Sequence, residues 1–189
     1  MSGQLWCLFF RLVCWIGIHE CAIEGLLHYI DDAFSVSFSE DLSHYEPYGC
    51  LMPTDQSRFL HLLDQLGVPH EDKKQVHGVS LEIIGLVVDV QDMTISMSHE
   101  AKQTLIEAIH DFVLNTPDNK RQQPLRAWLR ILGHANWALN AFPILKPALN
   151  SSYDKISSKM ALSQGVYVNK CVHEDLLWFA HSVGHLDGI

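Results

Sequence analysis

Hydrophobic positions change period several times along this 189-residue chain, and each change marks an element. Residues 4–19 are apolar on most faces, which predicts a helix enclosed by other structure. Two strands are then expected, Leu26–Tyr29 and Ala33–Phe38. In the second, Phe34, Val36 and Phe38 alternate with Ala33, Ser35 and Ser37, the period of a half-buried strand. Ile30-Asp31-Asp32 between them reads as a tight turn, since Asp can hydrogen-bond its own backbone there. Two prolines and a glycine make Ser39–Pro53 read as loop. Thr54 is expected to cap a helix carrying Phe59, Leu62, Leu63 and Leu66, ended by Gly67 and Pro69.

A polar stretch from His70 to His77 leads into a second expected hairpin. Its arms are 82–90, alternating at Leu86, Val88 and Val90, and 93–97, alternating at Met93, Ile95 and Met97, with Gln91-Asp92 as the turn. From Ser98 the period becomes helical: Ala101, Leu105, Ala108, Ile109 and Phe112 share a face that ends near Pro117. A further helix is expected from Pro124, a first-turn proline, with Leu125, Trp128, Leu129, Leu132 and Leu139, to about Asn140. Pro143 and Pro147 are expected to break the chain beyond it, and a short helix is expected from Glu174 to His181. The order is an α+β body followed by a helical part.

Composition adds little until charge is read by region. Hydrophobic residues are 48% and charged residues 19%, so a packed core forms and wholesale disorder is excluded. The net charge of −9 hides an asymmetry: residues 1–118 carry 18 acidic and 5 basic side chains. Residues 119–170 instead hold Lys120, Arg121, Arg126, Arg130, Lys146, Lys155, Lys159 and Lys170 against Asp154 alone. That division suits a chain in which one part holds cations and another touches phosphates; the plainer reading is solvated faces. Cys7, Cys14, Cys21, Cys50 and Cys171 form no CxxC pair, which favours a reducing, intracellular setting (cytoplasm or nucleus) over secretion. The run Leu5–Ile18 holds Arg11 and is shorter than the ~20 residues of a span, so no membrane role is expected.

Adjacent carboxylates at a hairpin tip repel unless a cation lies nearby, and carboxylate oxygens suit Mg²⁺. Such a pair can serve phosphoryl transfer by two metals, though an acidic turn is also an ordinary structural feature. Leu27-His28-Tyr29-Ile30-Asp31-Asp32-Ala33-Phe34 resembles the Tyr-x-Asp-Asp hairpin of reverse transcriptases, the RNA-directed DNA polymerases of retrotransposons. The flanks are similar in order. Leu5–Ile16 looks like the preceding palm helix, and Leu66-Gly67-Val68-Pro69 with Lys73-Lys74 like the next motif of that family. Ile84–Asp89 resembles the hairpin that grips the primer end, and Leu132–Trp137 through Pro143 a thumb helix.

The resemblance covers roughly residues 2–182 and implies an assignment of parts. Residues 1–97 would be the C-terminal half of a palm, 98–160 a thumb, and 161–189 the start of a connection segment. Asp31 would be a catalytic metal ligand with Asp32 beside it, together holding Mg²⁺. Tyr29 and Gly85 would lie near nucleotide and primer. Lys74, or Lys73, would assist the departing pyrophosphate. Arg126 and Arg130 would track a template–primer duplex of RNA or DNA, with dNTP as the second substrate.

One departure is serious, because the family's site needs another Asp on an earlier strand and no Asp precedes Asp31. The fingers and the first part of the palm have no counterpart either. The expectation is therefore a polymerase fragment inactive alone, unless a second chain supplies the missing part. Two other readings stay open. One is zinc at Cys171-x-His173 or His181-x₃-His185. The other is a non-catalytic remnant that binds nucleic acid or protein through Arg126, Arg130, Trp128 and Trp137.

Overall fold

The computed structural model describes residues 3–115 and 121–189, so the expected helix end at Pro117 and the basic Lys120 lie outside the described residues. The fold is α+β, with six α-helices and small antiparallel sheets among the described residues. The chain divides into two compact units, Met1–Ile84 and Gly85–Ile189.

In the first unit, α1 (Gly3–His19) is followed by strands β1 (Leu27–Tyr29) and β2 (Asp32–Phe34). Next come β3 (Leu42–Tyr45) and β4 (Cys50–Pro53), then helix α2 (Thr54–Leu66), a 3-10 turn Asp72–Lys74 and strand β5 (Ser80–Ile83). The core gathers Phe10, Val13 and Cys14 of α1, Ile23, Leu26, Tyr45 and Met52, and Phe59, Leu60, Leu62 and Leu63 of α2.

Four expectations for this unit need correction. α1 is not enclosed: it buries only Phe10, Val13, Cys14 and Gly17, while Leu5, Leu8, Leu12 and Trp15 form an exposed stripe. An apolar surround in sequence cannot say how many neighbours a helix has. The second strand stops at Phe34, and Val36 and Phe38 are 70% and 90% exposed. The expected loop 39–53 instead holds the β3–β4 hairpin, registered Leu42↔Pro53 to Tyr45↔Cys50. Its strand pattern was hidden by Pro47 and Pro53, which sit in the turn and at a strand end. Thr54 is the first residue of α2 rather than its cap, and its hydroxyl donates to Asp41 Oδ1 at 2.6 Å. The other end of α2 is as expected: Gly67 takes φ +67°, and the Gly67 and Val68 amides donate to Asp64 and Leu63 carbonyls.

The second unit begins with β6 (Leu86–Asp89) and β7 (Thr94–Ser96), paired Val87↔Ser96 to Asp89↔Thr94. The long first arm expected over 82–90 is interrupted, because Ile84 and Gly85 both have positive φ and turn the chain before β6. The turn after β6 is longer than Gln91-Asp92, and Asp89 Oδ1 accepts from both of those amides at 3.0 Å. Helix α3 (His99–Leu114) starts as expected, with the Ser98 hydroxyl accepting from the Ala101 amide.

Strand β8 (Gln122–Pro124) ends at the proline expected to open the next helix; α4 runs Leu125–Ala138. Beyond it, Pro143 and Pro147 do not end helical structure. A 3-10 segment Pro143–Leu149 leads directly into α5 (Asn150–Ile156). β9 (Gly165–Tyr167) pairs with β8, and α6 (Lys170–His185) is twice the expected length, capped by the Asn169 side chain accepting from Val172. α3, α4, α6 and Pro143–Leu149 enclose this unit's core, with Trp128, Phe142, Leu176 and Phe179 almost wholly buried. Residues 161–189 therefore supply β9 and α6 to the same core as α3 and α4.

Candidate nucleotidyl-transfer hairpin

β1 and β2 form a two-residue hairpin in the register Leu27↔Phe34, His28↔Ala33, Tyr29↔Asp32. Strand alternation puts Tyr29 and Asp32, directly opposite each other, on one face with Leu27 and Phe34. His28 lies on the other face, its ring edge-on to Phe10 at 6.1 Å between centroids. That contact anchors the hairpin to α1 and leaves the Tyr29 face exposed. Asp31 is in the turn, and Asp32 opens β2 rather than completing the turn as expected. Ile30 occupies the left-handed region at φ +57°, a conformation costly for a β-branched side chain.

Both carboxylates are exposed, and among the described residues neither has an ion-pair partner. Among the described residues no group of three His, Cys, Asp or Glu side chains is placed to hold a metal ion. Mg²⁺ binds through few protein ligands but needs its carboxylates converging with phosphate oxygens. Asp31 and Asp32 are two such hard oxygen ligands on one turn, and a full two-metal site needs further ligands beside them.

The lysines of the 3-10 turn are also exposed. Lys73 Nζ is 2.9 Å and Lys74 Nζ 3.5 Å from Glu71, whose carboxyl is held below its usual range, first by the Lys73 hydrogen bond and then by Lys74. Neither lysine is paired with Asp31 or Asp32. In the second unit Gly85 has φ +81°, and a side chain there would meet the Trp137 indole nitrogen at 3.7 Å. Arg126 and Arg130 are exposed one turn apart on α4, and His134 continues the stripe. Trp128 points the other way into the core, edge-on to Phe112 at 5.2 Å, and Trp137 is half-buried. No carboxylate among the described residues pairs with either arginine, so the α4 stripe can meet phosphates without breaking an ion pair.

The histidine spacings do not assemble a zinc site among the described residues. His185 Nδ1 donates to the His181 carbonyl at 2.7 Å, the two rings lie tilted with centroids 4.2 Å apart, and Cys171 faces Asp175 at 3.6 Å.

One cluster has no local signature in the sequence. Tyr45 Oη donates to Asp64 Oδ2 at 2.6 Å, and His70 Nε2 lies 3.0 Å from Asp64 Oδ1 and 3.4 Å from Tyr45 Oη. The Tyr48 hydroxyl hydrogen-bonds His70 Nδ1. Its hydrogen-bonded pairs are 6 to 25 positions apart, so only the fold brings them together. Burial, then the Asp64 hydrogen bond, pushes the Tyr45 phenol well above its usual range. The Tyr45 hydrogen bond, more than His70, holds Asp64 below the usual carboxylate range.

No family model matches the sequence, and no curated protein matches it. Among solved structures, the chain is similar to a foamy viral protease–reverse transcriptase determined in complex with double-stranded DNA. The TM-score is 0.60 at 14% identity, over 98% of this chain and 28% of that one. The fold is thus reverse-transcriptase-like. The chain spans about a quarter of the viral protein's length.

Proposed function

We propose that this chain is the second half of the palm, with the thumb, of a retroelement RNA-directed DNA polymerase, and that it is inactive alone. The observation that carries the reading is one coincidence. Tyr29-Ile30-Asp31-Asp32 occupies a two-residue hairpin within a chain whose fold is reverse-transcriptase-like across 98% of its length. In this reading Asp31 and Asp32 are part of a two-Mg²⁺ site, Tyr29 and Gly85 border nucleotide and primer, and Lys74 or Lys73 serves the pyrophosphate. Arg126 and Arg130 follow the duplex backbone. Without a third carboxylate, tight Mg²⁺ binding and nucleotidyl transfer require the rest of the palm and the fingers beside these residues.

Primer extension on an RNA template with Mg²⁺, then Mn²⁺, tests this, with Asp31→Asn as control. No extension is expected from the chain alone. Extension abolished by Asp31→Asn would show the site complete and overturn the inactivity.

A non-catalytic, duplex-binding remnant is the second reading, supported by Arg126 and Arg130 standing clear of carboxylates. Duplex binding is expected to weaken with salt. Arg126→Ala with Arg130→Ala is expected to lower the log–log salt slope by about one unit for each phosphate these arginines neutralise. An unchanged slope would remove α4 from the interface.

A further inference from the structure

We infer that Asp64, His70, Tyr45 and Tyr48 form a side-chain clamp that fixes the Asp72–Lys74 turn to the end of α2 and to the β3–β4 hairpin, setting where Lys73 and Lys74 stand. α2 closes at Gly67 and Val68, whose amides satisfy the last carbonyls, and Pro69 has no amide to extend that pattern. Residues 71–74 are all exposed and contribute no packing. His70 alone in the stretch 69–74 turns inward, its side chain 11% exposed.

The hydrogen bonds of the cluster form one continuous chain. With Nε2–H of His70 donating to Asp64, Nδ1 accepts from the Tyr48 hydroxyl, and Tyr45 donates to the second Asp64 oxygen. The ring is held from both nitrogens, so its orientation as well as its position is set. Tyr45, fully buried and edge-on to His61 at 4.9 Å, ties the network to the core. From His70 the restraint passes to Glu71, which pairs with both lysines. A second tie closes the turn: Gln75 Nε2 donates to the Glu71 carbonyl, and Gln56 Nε2 of α2 donates to Gln75 Oε1 at 3.2 Å. An apolar residue at position 70 could fill the space but would not direct the turn.

That these lysines meet a pyrophosphate rests on the function proposed above; the clamp itself does not. Amide hydrogen exchange on the full chain tests it, because the turn has two reporters. The Lys74 and Gln75 amides donate to Glu71 and Asp72 carbonyls at 3.1 and 2.8 Å. In His70→Ala both are expected to exchange about tenfold faster, with Gly67 and Val68 unchanged, and His70→Gln to restore most of the protection. Wild-type rates at Lys74 and Gln75, or equal acceleration at Gly67 and Val68, would overturn the clamp. Should His70→Ala not fold, Tyr48→Phe decides on the same criteria, removing one hydroxyl. The readout needs no polymerase activity, so failure of the clamp and failure of the polymerase reading are separable.

Discussion

At Asp64 the carboxylate accepts from a buried phenol and an imidazole, and the consequence for pH follows from the direction of each shift. The native carboxyl sits below its unfolded value of 3.8, so the stability it contributes is present above that value and lost as pH falls through the native one. Tyr45 is shifted the other way. Its contribution is intact below the unfolded value of 10.0 and declines as pH rises beyond it, because the unfolded chain ionises first. Urea denaturation across pH is expected to show both limbs, the acid one flattened in Asp64→Asn and the alkaline one in Tyr45→Phe. Ile30, at φ +57° in the hairpin turn, supplies a separate check. Ile30→Gly is expected to stabilise the chain by about 1 kcal/mol in urea denaturation, since glycine enters that region without steric cost. The Tyr-x-Asp-Asp run was legible as a turn, but the strained φ was not, because nothing in the side chain of Ile30 favours it.

Helix α1 carries two apolar faces of different status. Phe10, stacked near Trp6 and edge-on to Phe59, belongs to the core, whereas Leu8 and Leu12 face outward. Phe10→Ala is expected to cost about 3–5 kcal/mol, and Leu8→Ser or Leu12→Ser less than about 0.5 kcal/mol, by urea denaturation. Periodicity gave α2, α3 and α4 their existence and part of their buried faces, but Leu66 and Leu129, expected on those faces, are 45% and 48% exposed because each lies at the edge of its helix's covered side. It failed where apolar residues surround a helix, as in α1, because composition alone cannot choose the covered side. Strands were harder. β3, β4, β8 and β9 are three or four residues long, the last three with a proline or glycine at one end, too short for alternation to stand out.

Across the two units the apolar core is unevenly shared. Among the described residues, the second unit buries 24 hydrophobic side chains in one cluster, against 11 in the first. Since buried apolar area supplies most of the folding free energy, the second unit should be the more stable. Hydrogen exchange on the full chain is expected to show the slowest amides in α3, α4 and α6, with those of α1 and β1–β2 exchanging faster. Equal protection of both units would count against this distribution. The exposed stripe of α1 and the bare Leu27, Val36 and Phe38 also predict binding of a hydrophobic dye at neutral pH.

The order of the main elements, the hairpin bearing Asp31 and Asp32 and the basic stretch beyond residue 118 are all written in the linear chain. These are properties of neighbouring residues and of counts, which a sequence displays directly. Folding in three dimensions was needed to establish that α1 keeps an open face and that Arg126 and Arg130 stand clear of carboxylates while Trp128 is core. It was needed too for the meeting of Tyr45, Tyr48, Asp64 and His70. Those depend on which distant residues approach one another, and hydrogen bonds between side chains up to 25 positions apart leave no periodic trace in the chain that makes them.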